Sequence, residues 1–471
     1  MNKVVSDLIS RKTFVFSVII ILFFAVLALL APVITSYNNP YQVSQQFIAA
    51  PYAVPSWATI FPQYHDLPPN VRITLVPTSN GNGITILNST YLRVVVPGNS
   101  EVNVTYSLKW NWSSPYNILL SFNLVPPSTS DFQVNLFMGG NDLMELSPIP
   151  VPPSVSVTPG KLNHITFSTE NVNPSNSPYV QSLPVQDQAL ASIELPKLLL
   201  PRPGVYTVVL SVDNTGNSPE TFLISNPHYS SLGYAYGRLG TDDNGASVFS
   251  EFVYGARFDL YLSLVASALI IGIGLIIGLL AGYVGGFTDL ALNAFTDFFL
   301  LIPGLPLLIV LISIFDLTGA IVNVNKAVLI LLIISLLSWP GTAKIIRGQT
   351  LTLRNRTFVE ASRALGEGKF RILFRHIVPN LMGILFAQLA YDVPGVILAE
   401  SGLDFLGLGI IGFPTWGNML GFATNDLSFA NGFAWWWVLP PGIGIILLST
   451  AFYYFGSAML DVLSPYKLRG E

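Results

Sequence analysis

The sequence has no cysteine, few charged residues and only four histidines. Without cysteine the chain cannot form a disulfide, a thiolate nucleophile or a cysteine metal site, and four scattered histidines argue against a metal centre. Charged residues make up 10% of the 471 residues, whereas a soluble domain usually carries about 25%. The net charge of −4 is too small to indicate a nucleic-acid partner. The shortage of charge therefore predicts that lipid surrounds much of the chain.

Hydrophobic residues make up 51% of the chain and concentrate in six long runs. The runs are 13–34, 260–283, 294–315, 327–343, 380–411, which is interrupted, and 438–460. Each is close to the length of about 20 apolar residues that a membrane helix needs. Because the run 260–283 contains no charged residue, buried helices of a large soluble protein are disfavoured. The first run follows Lys3, Arg11 and Lys12 as in a signal peptide, but it exceeds the usual apolar length of about 7–15 residues. We interpret it as an uncleaved span, with cleavage as the alternative.

The distribution of lysine and arginine predicts the orientation of these spans. Three such residues lie in the N-terminal tail, eight between spans four and five, and two, Lys467 and Arg469, in the C-terminal tail. Positive residues of short loops favour the cytoplasmic side. We therefore expect a multi-pass protein of the cell membrane with both termini and the segment 344–380 in the cytoplasm. The region 36–255 is then outside.

The region between the first two spans is rich in Pro, Asn and Ser and predicts strands. Alternating runs lie at 71–76, 91–96, 102–108, 118–124, 132–137, 164–168 and 205–212, with turn signals such as 80–83 between them. Short strands at this spacing indicate an all-β, sandwich-like domain. The predicted domains are 1–35 (tail and span one), 36–236 (extracytoplasmic β domain) and 237–471 (spans two to six with the loop 344–380).

Three glycosylation sequons, at Asn88, Asn103 and Asn111, lie in this β region and fit an external face. Another sequon, at Asn355, lies in the segment predicted to be cytoplasmic. Sequons therefore also occur by chance, and those in the β region are candidates only.

A basic, polar stretch between spans four and five predicts a short amphipathic helix pair. Phe370, Leu373 and Phe374 are spaced to share one helix face, and Arg371 and Arg375 share another. Gly366 permits a turn between two helices, and a proline at 379 marks the return into the membrane. The pair could press against a soluble partner or lie on anionic lipid. Spacing alone leaves both open.

This stretch resembles the EAA loop of ABC importer permeases. The resemblance consists of Glu360-Ala361-Ser362, followed by Gly366 after three residues and by Pro379 thirteen residues further on. The fuller strings 358–366 and 374–380 are similar to the C-type subunit of the dipeptide/oligopeptide branch. Further matches, in the family's order, are 240–243, 248–249, 254–257, 281–286, Asp289, Asp297, Pro303, 338–341, 399–400, 405–409, 416–419 and 435–437. The sequence departs from the pattern at Ser362 (usually Ala), Val378 (usually Leu), Asp404 (commonly Ser), 244–246 (usually Gly-Arg-Asp) and in the long region 36–230.

The resemblance implies a helical membrane protein of the type I ABC importer permease fold, here with six transmembrane helices and the β domain inserted between helices 1 and 2. It implies no enzyme activity in this chain: ATP and Mg²⁺ bind in partner subunits. The implied partners are a second, B-type permease subunit, two ATPase subunits and an extracytoplasmic solute-binding protein. The implied solute is a short peptide, with oligosaccharide as the alternative. The implied ATPase-coupling residues are Glu360, Ala361, Ser362, Gly366, Arg371, Arg375, His376 and Pro379.

Span five contains polar residues at positions where lipid is expected: Gln388, Asp392, Glu400 and Asp404. Ionisable groups at bilayer depth cost about 2.5–3.5 kcal/mol and face a cavity or a partner. We therefore treat these residues as candidates for the translocation path. For Glu400 and Asp404 the alternative is a position at the outer rim, in water or in helix caps.

A function of another class is a membrane-anchored adhesin or receptor that acts through the β domain. Such a protein has no need of the cytoplasmic motif. A membrane enzyme is disfavoured because no paired acid and base or metal set appears in the loops.

Overall fold

The computed structural model describes residues 2–35, 41–78, 83–88, 91–127, 132–139, 143–145, 160–171, 195–318, 325–410, 412–425 and 433–463. The chain separates into two compact units. One consists of Met1–Gln46 with Val248–Glu471 and the other of Phe47–Ser247. The positive residues Lys467 and Arg469 and most of the predicted turn 80–83 lie outside the described residues.

The first unit is helical. Its α-helices are α1 (Asn2–Ile9), α2 (Lys12–Ile34), α3 (Val248–Val284), α4 (Gly286–Leu301), α5 (Gly304–Thr318), α6 (Lys326–Arg354), α7 (Thr357–Ala364), α8 (Lys369–Ile372), α9 (Val378–Phe405), α10 (Trp416–Asn425) and α11 (Trp435–Leu463). Within the described residues, five helices are long and apolar enough to cross a membrane, or six if a bent pair counts as one span. Five of the six predicted runs fall within these segments, whereas the run 380–411 extends past the end of α9 at Phe405.

The third span is the bent one, and here the prediction of one uninterrupted run is wrong. The run 294–315 covers the end of α4 and most of α5, which meet at an angle of 77°. Ile302 ends α4 in an extended conformation, with φ −77° and ψ 124°, because a residue before proline is disfavoured in the helical region. Pro303 therefore breaks a stretch that hydropathy alone reads as continuous.

Span five begins earlier than predicted, at Lys369, so Pro379 lies within the span and does not mark its start. A π-helical segment, Leu373–Ile377, joins α8 to α9, so that Lys369–Phe405 forms one span. The backbone N–H of Val378 bonds to the carbonyl of Leu373, five residues back. Pro379 then lies in the first turn of α9, where its missing N–H costs little. The Asn380 side chain donates to the carbonyl of His376 at 2.6 Å.

Helices α3 and α6 are in close contact along a row of glycines. A Cβ atom at Gly278 would lie 2.6 Å from the carbonyl oxygen of Ala343, and one at Gly282 would lie 2.7 Å from the Cβ of Thr350. Gly274 is in the same row, 2.9 Å from Thr342 by the same measure. Small residues at this spacing let two helix backbones approach. A Cβ atom at Gly272, by contrast, would meet nothing within 4 Å.

The second unit consists of two antiparallel sheets. Its strands are β1 (Val71–Thr74), β2 (Ile84–Asn88), β3 (Tyr91–Val96), β4 (Ser100–Trp110), β5 (Leu119–Val125), β6 (Phe132–Gly139), β7 (Leu143–Glu145), β8 (Asn163–Ser168), β9 (Gly204–Asn214) and β10 (Glu220–Ser231). One sheet has the order β2-β3-β10-β5-β8, with β1 also paired to β10, and the other has the order β4-β9-β6-β7. Alternate residues of both sheets form one buried core that includes Val94, Val104, Leu120 and Leu210.

Each of the seven runs predicted as strands overlaps one of these strands. The sequence pattern did not indicate β2, β7 or β10. Strand β10 is paired with three neighbours and has a register shift between Ser225 and His228. The shift interrupts the alternation on which the prediction depends.

Candidate functional site

The loop 355–380 contains two short helices, α7 and α8, separated by a capped turn. Gly366 has φ +84°, in the left-handed region that glycine adopts without a steric penalty. Its N–H bonds to the carbonyl of Arg363, and the N–H of Glu367 bonds to the carbonyl of Ser362, at 3.0 and 3.1 Å. These two bonds form a Schellman cap, which satisfies carbonyls at the helix end. The predicted turn at Gly366 is therefore present, with a specific geometry.

The inner side of the loop is anchored to the membrane helices. Val359, Ile372 and Ile377 are fully buried and share a hydrophobic cluster with Tyr283 at the end of α3 and Ile346 in α6. Ser362, at 9% exposure, is on the same side, and its hydroxyl donates to the carbonyl of Phe358 at 3.0 Å. A force applied to the loop would thus reach α3, α6 and α9 through packed side chains.

The outer side of the loop is apolar and basic. Phe370 and Phe374 are 75% and 66% exposed, and Leu365 at the turn is 85% exposed. Arg371 and Arg375 are exposed as well. The prediction that Leu373 shares the face of the two phenylalanines is wrong, because Leu373 is buried in the anchoring cluster. The π-helical turn places its side chain toward the bundle while Phe370 and Phe374 point away.

His376 braces the loop from within. Its Nε2 lies 2.9 Å from Oε2 of Glu367 and 3.3 Å from the hydroxyl of Ser362. The three residues join α7, the turn after Gly366 and the π-helical segment. Glu367 was not among the predicted site residues, since nine residues separate it from His376 and helical spacing does not relate them.

The remaining coupling candidates are accessible. Glu360, Ala361 and Pro379 are all exposed in the described structure. Together with Arg371 and Arg375 they leave a surface on which a protein could dock without rearrangement of the loop. Their assignment to coupling stays a prediction.

Two ion pairs fasten the bent span to α6, next to the loop. Arg347 binds Asp289 through two parallel bonds, Nε to Oδ1 at 2.5 Å and Nη2 to Oδ2 at 2.8 Å. Lys344 pairs with Asp297. Lys344 and Arg347 are two of the eight positive residues between spans four and five that indicate the orientation. Their spacing of three residues, and that of eight between the two aspartates, places both pairs on facing sides of α4 and α6.

Among the polar residues of span five, Asp392 lies between two helices. It accepts a bond from the Thr342 hydroxyl of α6 at 3.3 Å and one from the Gln388 amide at 3.1 Å. Asp392 is half-buried. Glu400 follows eight residues later, about 12 Å along the helix at the usual rise. Gln388 and Asp392 thus form one polar site, separate from the other two acids.

Glu400 and Asp404 are buried inside the helix bundle and do not lie at a water-exposed rim. Their exposures are 1% and 2%. Asp404 accepts a bond from the Thr415 hydroxyl. Asp259 of α3, which is buried to the same degree, accepts one from the backbone N–H of Trp416 at 3.2 Å. Asp259 was missed because it directly precedes the uncharged run from which span two was recognised.

No group of three or more His, Cys, Asp or Glu residues in the described parts of the chain is arranged to hold a metal ion. Of the three sequon asparagines, Asn103 lies in β4 and Asn111 directly after it, and both are exposed. The backbone of Asn88 is in β2. Glycosylation of any of them stays a prediction.

Two family profiles match the sequence. Residues 274–467 match the binding-protein-dependent transport system inner membrane component. Residues 3–55 match the N-terminal TM domain of oligopeptide transport permease C. The two matches lie on either side of most of the β unit.

Several characterised proteins are similar to the same part of the chain. The dipeptide transport system permease protein DppC of Bacillus subtilis (strain 168) is 37% identical over 232 residues, which are 49% of this chain and 69% of that protein. The oligopeptide transport system permease protein OppC of Lactococcus lactis subsp. cremoris (strain SK11) is 35% identical over 225 residues, 48% of this chain and 74% of that protein. A solved inward-facing structure of the MetNI methionine ABC transporter aligns with 46% of this chain and 97% of that chain at 18% identity and a TM-score of 0.35, a similarity too low to support an inference.

Proposed function

The chain belongs to the family of binding-protein-dependent transport system inner membrane components, and on this premise we propose that it imports short peptides as one permease subunit of an ATP-driven transporter. It is a multi-pass membrane protein and a transport subunit, not an enzyme. Its relatives DppC and OppC are named as dipeptide and oligopeptide permeases. That naming supports peptide as the solute of this chain.

The observation that carries the mechanism is the loop 355–380. Its apolar and basic outer side is exposed, while its inner side is packed against three membrane helices. A loop that is anchored on one side and exposes an apolar and basic side on the other can press on a soluble partner. Together with the family match, this arrangement supports a protein partner over the lipid surface. We assign the contact with the ATPase to the candidates Glu360, Ala361, Ser362, Gly366, Arg371, Arg375, His376 and Pro379.

Transport follows from differential affinity. ATP closure of the partner subunits does work on the spans only if the loop is held more tightly in one of their orientations than in the other. Val359, Ile372 and Ile377 would transmit the movement to α3 and α6 because they are fully buried against them. A packed cluster shifts as a unit, since it is not continuously deformable.

Family membership implies a partner permease, an ATPase and a binding protein in general terms. More specifically, we propose a B-type permease subunit, two ATPase subunits that hold the ATP and Mg²⁺, and an extracytoplasmic solute-binding protein. The termini and the loop lie in the cytoplasm and the β unit outside, as the positive residues favour. We propose three domains: 1–35 with the N-terminal tail and span one, 36–236 as the extracytoplasmic β domain, and 237–471 with spans two to six. The β unit would hold the binding protein near the pore, or serve as a spacer.

We place the translocation path beside Gln388 and Asp392. Asp392 is half-buried and bonded only to uncharged groups among the described residues, so water or a solute could reach it. Glu400 and Asp404 remain candidates for a path that opens on rearrangement of the spans.

The test is ATP-driven uptake into proteoliposomes that contain this chain with its cognate permease, ATPase subunits and binding protein. We expect a labelled tripeptide to accumulate only when ATP and the binding protein are both present. Omission of this chain is the control. If the intact assembly hydrolyses ATP and accumulates an oligosaccharide but no peptide, the proposed solute is wrong.

A further inference from the structure

A cavity of about 220 Å³ lies beside the first part of α3. Its walls are Tyr254, Arg257, Phe258 and Tyr261 of α3 with Phe413 and Pro414 from the segment between α9 and α10. The rings of Phe258 and Phe413 are stacked, with centroids 6.2 Å apart and planes 25° from parallel. The cavity therefore has aromatic walls and one charged side chain.

Arg257 has no hydrogen bond or ion pair with any residue that the structure describes. Its side chain is exposed on the cavity side. A guanidinium is always charged in proteins and binds a carboxylate through paired N–H donors. The exposed side chain of Arg257 is therefore available to an anion that the described residues of this subunit do not supply.

The wall opposite α3 argues against lipid as the source of that anion. Phe413 and Pro414 belong to irregular backbone that enters the helix bundle: Pro414, Thr415 and Trp416 are buried, whereas Phe413 is 55% exposed. The ring of Trp416 stacks on Phe252 of α3 at 5.5 Å. In a membrane protein, irregular backbone occurs where it is buried in protein, lines a water-filled cavity or lies outside the hydrocarbon region, and not where it faces acyl chains. A hydrated passage or a protein surface fits this wall.

The nearby buried acids lie on the other side of α3. Asp259 follows Arg257 by two residues, which is about 200° around a helix. Its carboxylate accepts the N–H of Trp416, and the carboxylate of Asp404 accepts the Thr415 hydroxyl. Neither of these hydrogen bonds involves Arg257, so its guanidinium remains available to an anion.

The chemistry of the cavity fits the end of a peptide. An arginine binds a carboxylate through two parallel N–H···O bonds, and aromatic walls cover apolar groups. The volume is below the range of about 300–1,000 Å³ for a pocket that encloses a whole ligand. We propose that Arg257 and the aromatic walls around it bind the C-terminal carboxylate of the peptide in transit. The inference rests on the proposed function and specifies where the peptide contacts this subunit.

The experiment compares Arg257→Gln with the wild type for two substrates, a tripeptide with a free C-terminal carboxylate and the same tripeptide with a C-terminal amide. Both are tested in the complete assembly with its binding protein. Any preference of the binding protein for the free acid is common to both chains and cancels in the ratio. We expect Arg257→Gln to lower initial uptake of the free acid about tenfold, the smaller end of what a charged hydrogen bond provides. Initial uptake of the amide should change less than about twofold between Arg257→Gln and the wild type, because the amide has no carboxylate for the guanidinium to bind.

Arg257→Lys keeps the positive charge but loses the two parallel N–H donors. We therefore expect an initial uptake rate of the free acid between those of the wild type and Arg257→Gln. Equal losses for acid and amide would overturn the proposal, since they would indicate a structural role or a contact with the second permease. Unchanged uptake of the acid would overturn it too. An effect that disappears when phosphatidylglycerol is omitted from phosphatidylcholine vesicles would identify a lipid headgroup as the anion instead. If the wild type imports no peptide, the proposed function fails and this inference falls with it.

Discussion

Gly366→Val is expected to lower ATP-driven uptake about tenfold while the chain remains assembled in the membrane. Gly366 has φ +84°, and a β-branched residue in that region is a strong outlier. The left-handed conformation costs other residues about 1–2 kcal/mol, which corresponds to roughly a five- to thirtyfold shift of a conformational equilibrium. A Cβ atom at this position would meet nothing within 4 Å, so the loss comes from the backbone and not from a clash.

Two control variants separate the turn from its surroundings. Gly366→Asn should retain most activity, because asparagine tolerates the left-handed region and is found in this cap. Gly368→Val should be mild, since Gly368 has φ −64° and also faces open space. Initial uptake rates, normalised to the amount of assembled complex, give the comparison. Wild-type uptake by Gly366→Val, or equal losses in Gly366→Val and Gly366→Asn, would contradict the role given to the turn.

The double variant Phe370→Ala, Phe374→Ala is expected to weaken binding of the ATPase subunits by at least about thirtyfold. Both rings are exposed on the outer side of the loop, at 75% and 66%. An aromatic side chain that is a hot spot of an interface contributes about 2 kcal/mol or more. Since every 1.4 kcal/mol is a tenfold change in affinity, one such ring alone accounts for about thirtyfold. Neither ring belongs to the anchoring cluster, so the variant should fold normally.

Affinity of the purified ATPase for the permease pair in nanodiscs is the appropriate measurement. Phe386→Ala is the matched control, since Phe386 is 50% exposed but lies within the membrane-spanning part of α9. It should leave ATPase binding unchanged. If the control weakens binding as much as the double variant, or the double variant has no effect, the outer side of the loop is not the docking surface.

The apolar spans could be predicted because hydrophobicity is a local property of the sequence. Composition along 260–283 or 438–460 is sufficient to indicate a membrane helix. Hydropathy does not register backbone geometry, however. The bend at Ile302 and the π-helical segment Leu373–Ile377 are therefore not visible in it. A proline at 303 was a signal that could have found the bend.

The turn at Gly366 was predictable for a similar reason, since one residue determines it. Contacts between distant parts of the chain were not. Asp259 meets the 415–416 segment across more than 150 residues, and Glu367 meets His376 around a turn. Such contacts depend on how helices pack, which no local pattern specifies. Strand β10 was missed because its alternation is interrupted by a register shift that its partner strands impose.

The most direct measurement of the central claim uses the absence of cysteine from the natural chain. A single cysteine introduced as Ala361→Cys, at an exposed position of α7, gives one reactive site. In the assembled transporter, in membranes, a short cross-linker with a maleimide at one end and a photoreactive group at the other should join this site to an ATPase subunit from the cytoplasmic side. Failure to cross-link in an assembly that transports, or labelling of the site by an impermeant reagent added only outside the cell, would contradict coupling through the loop.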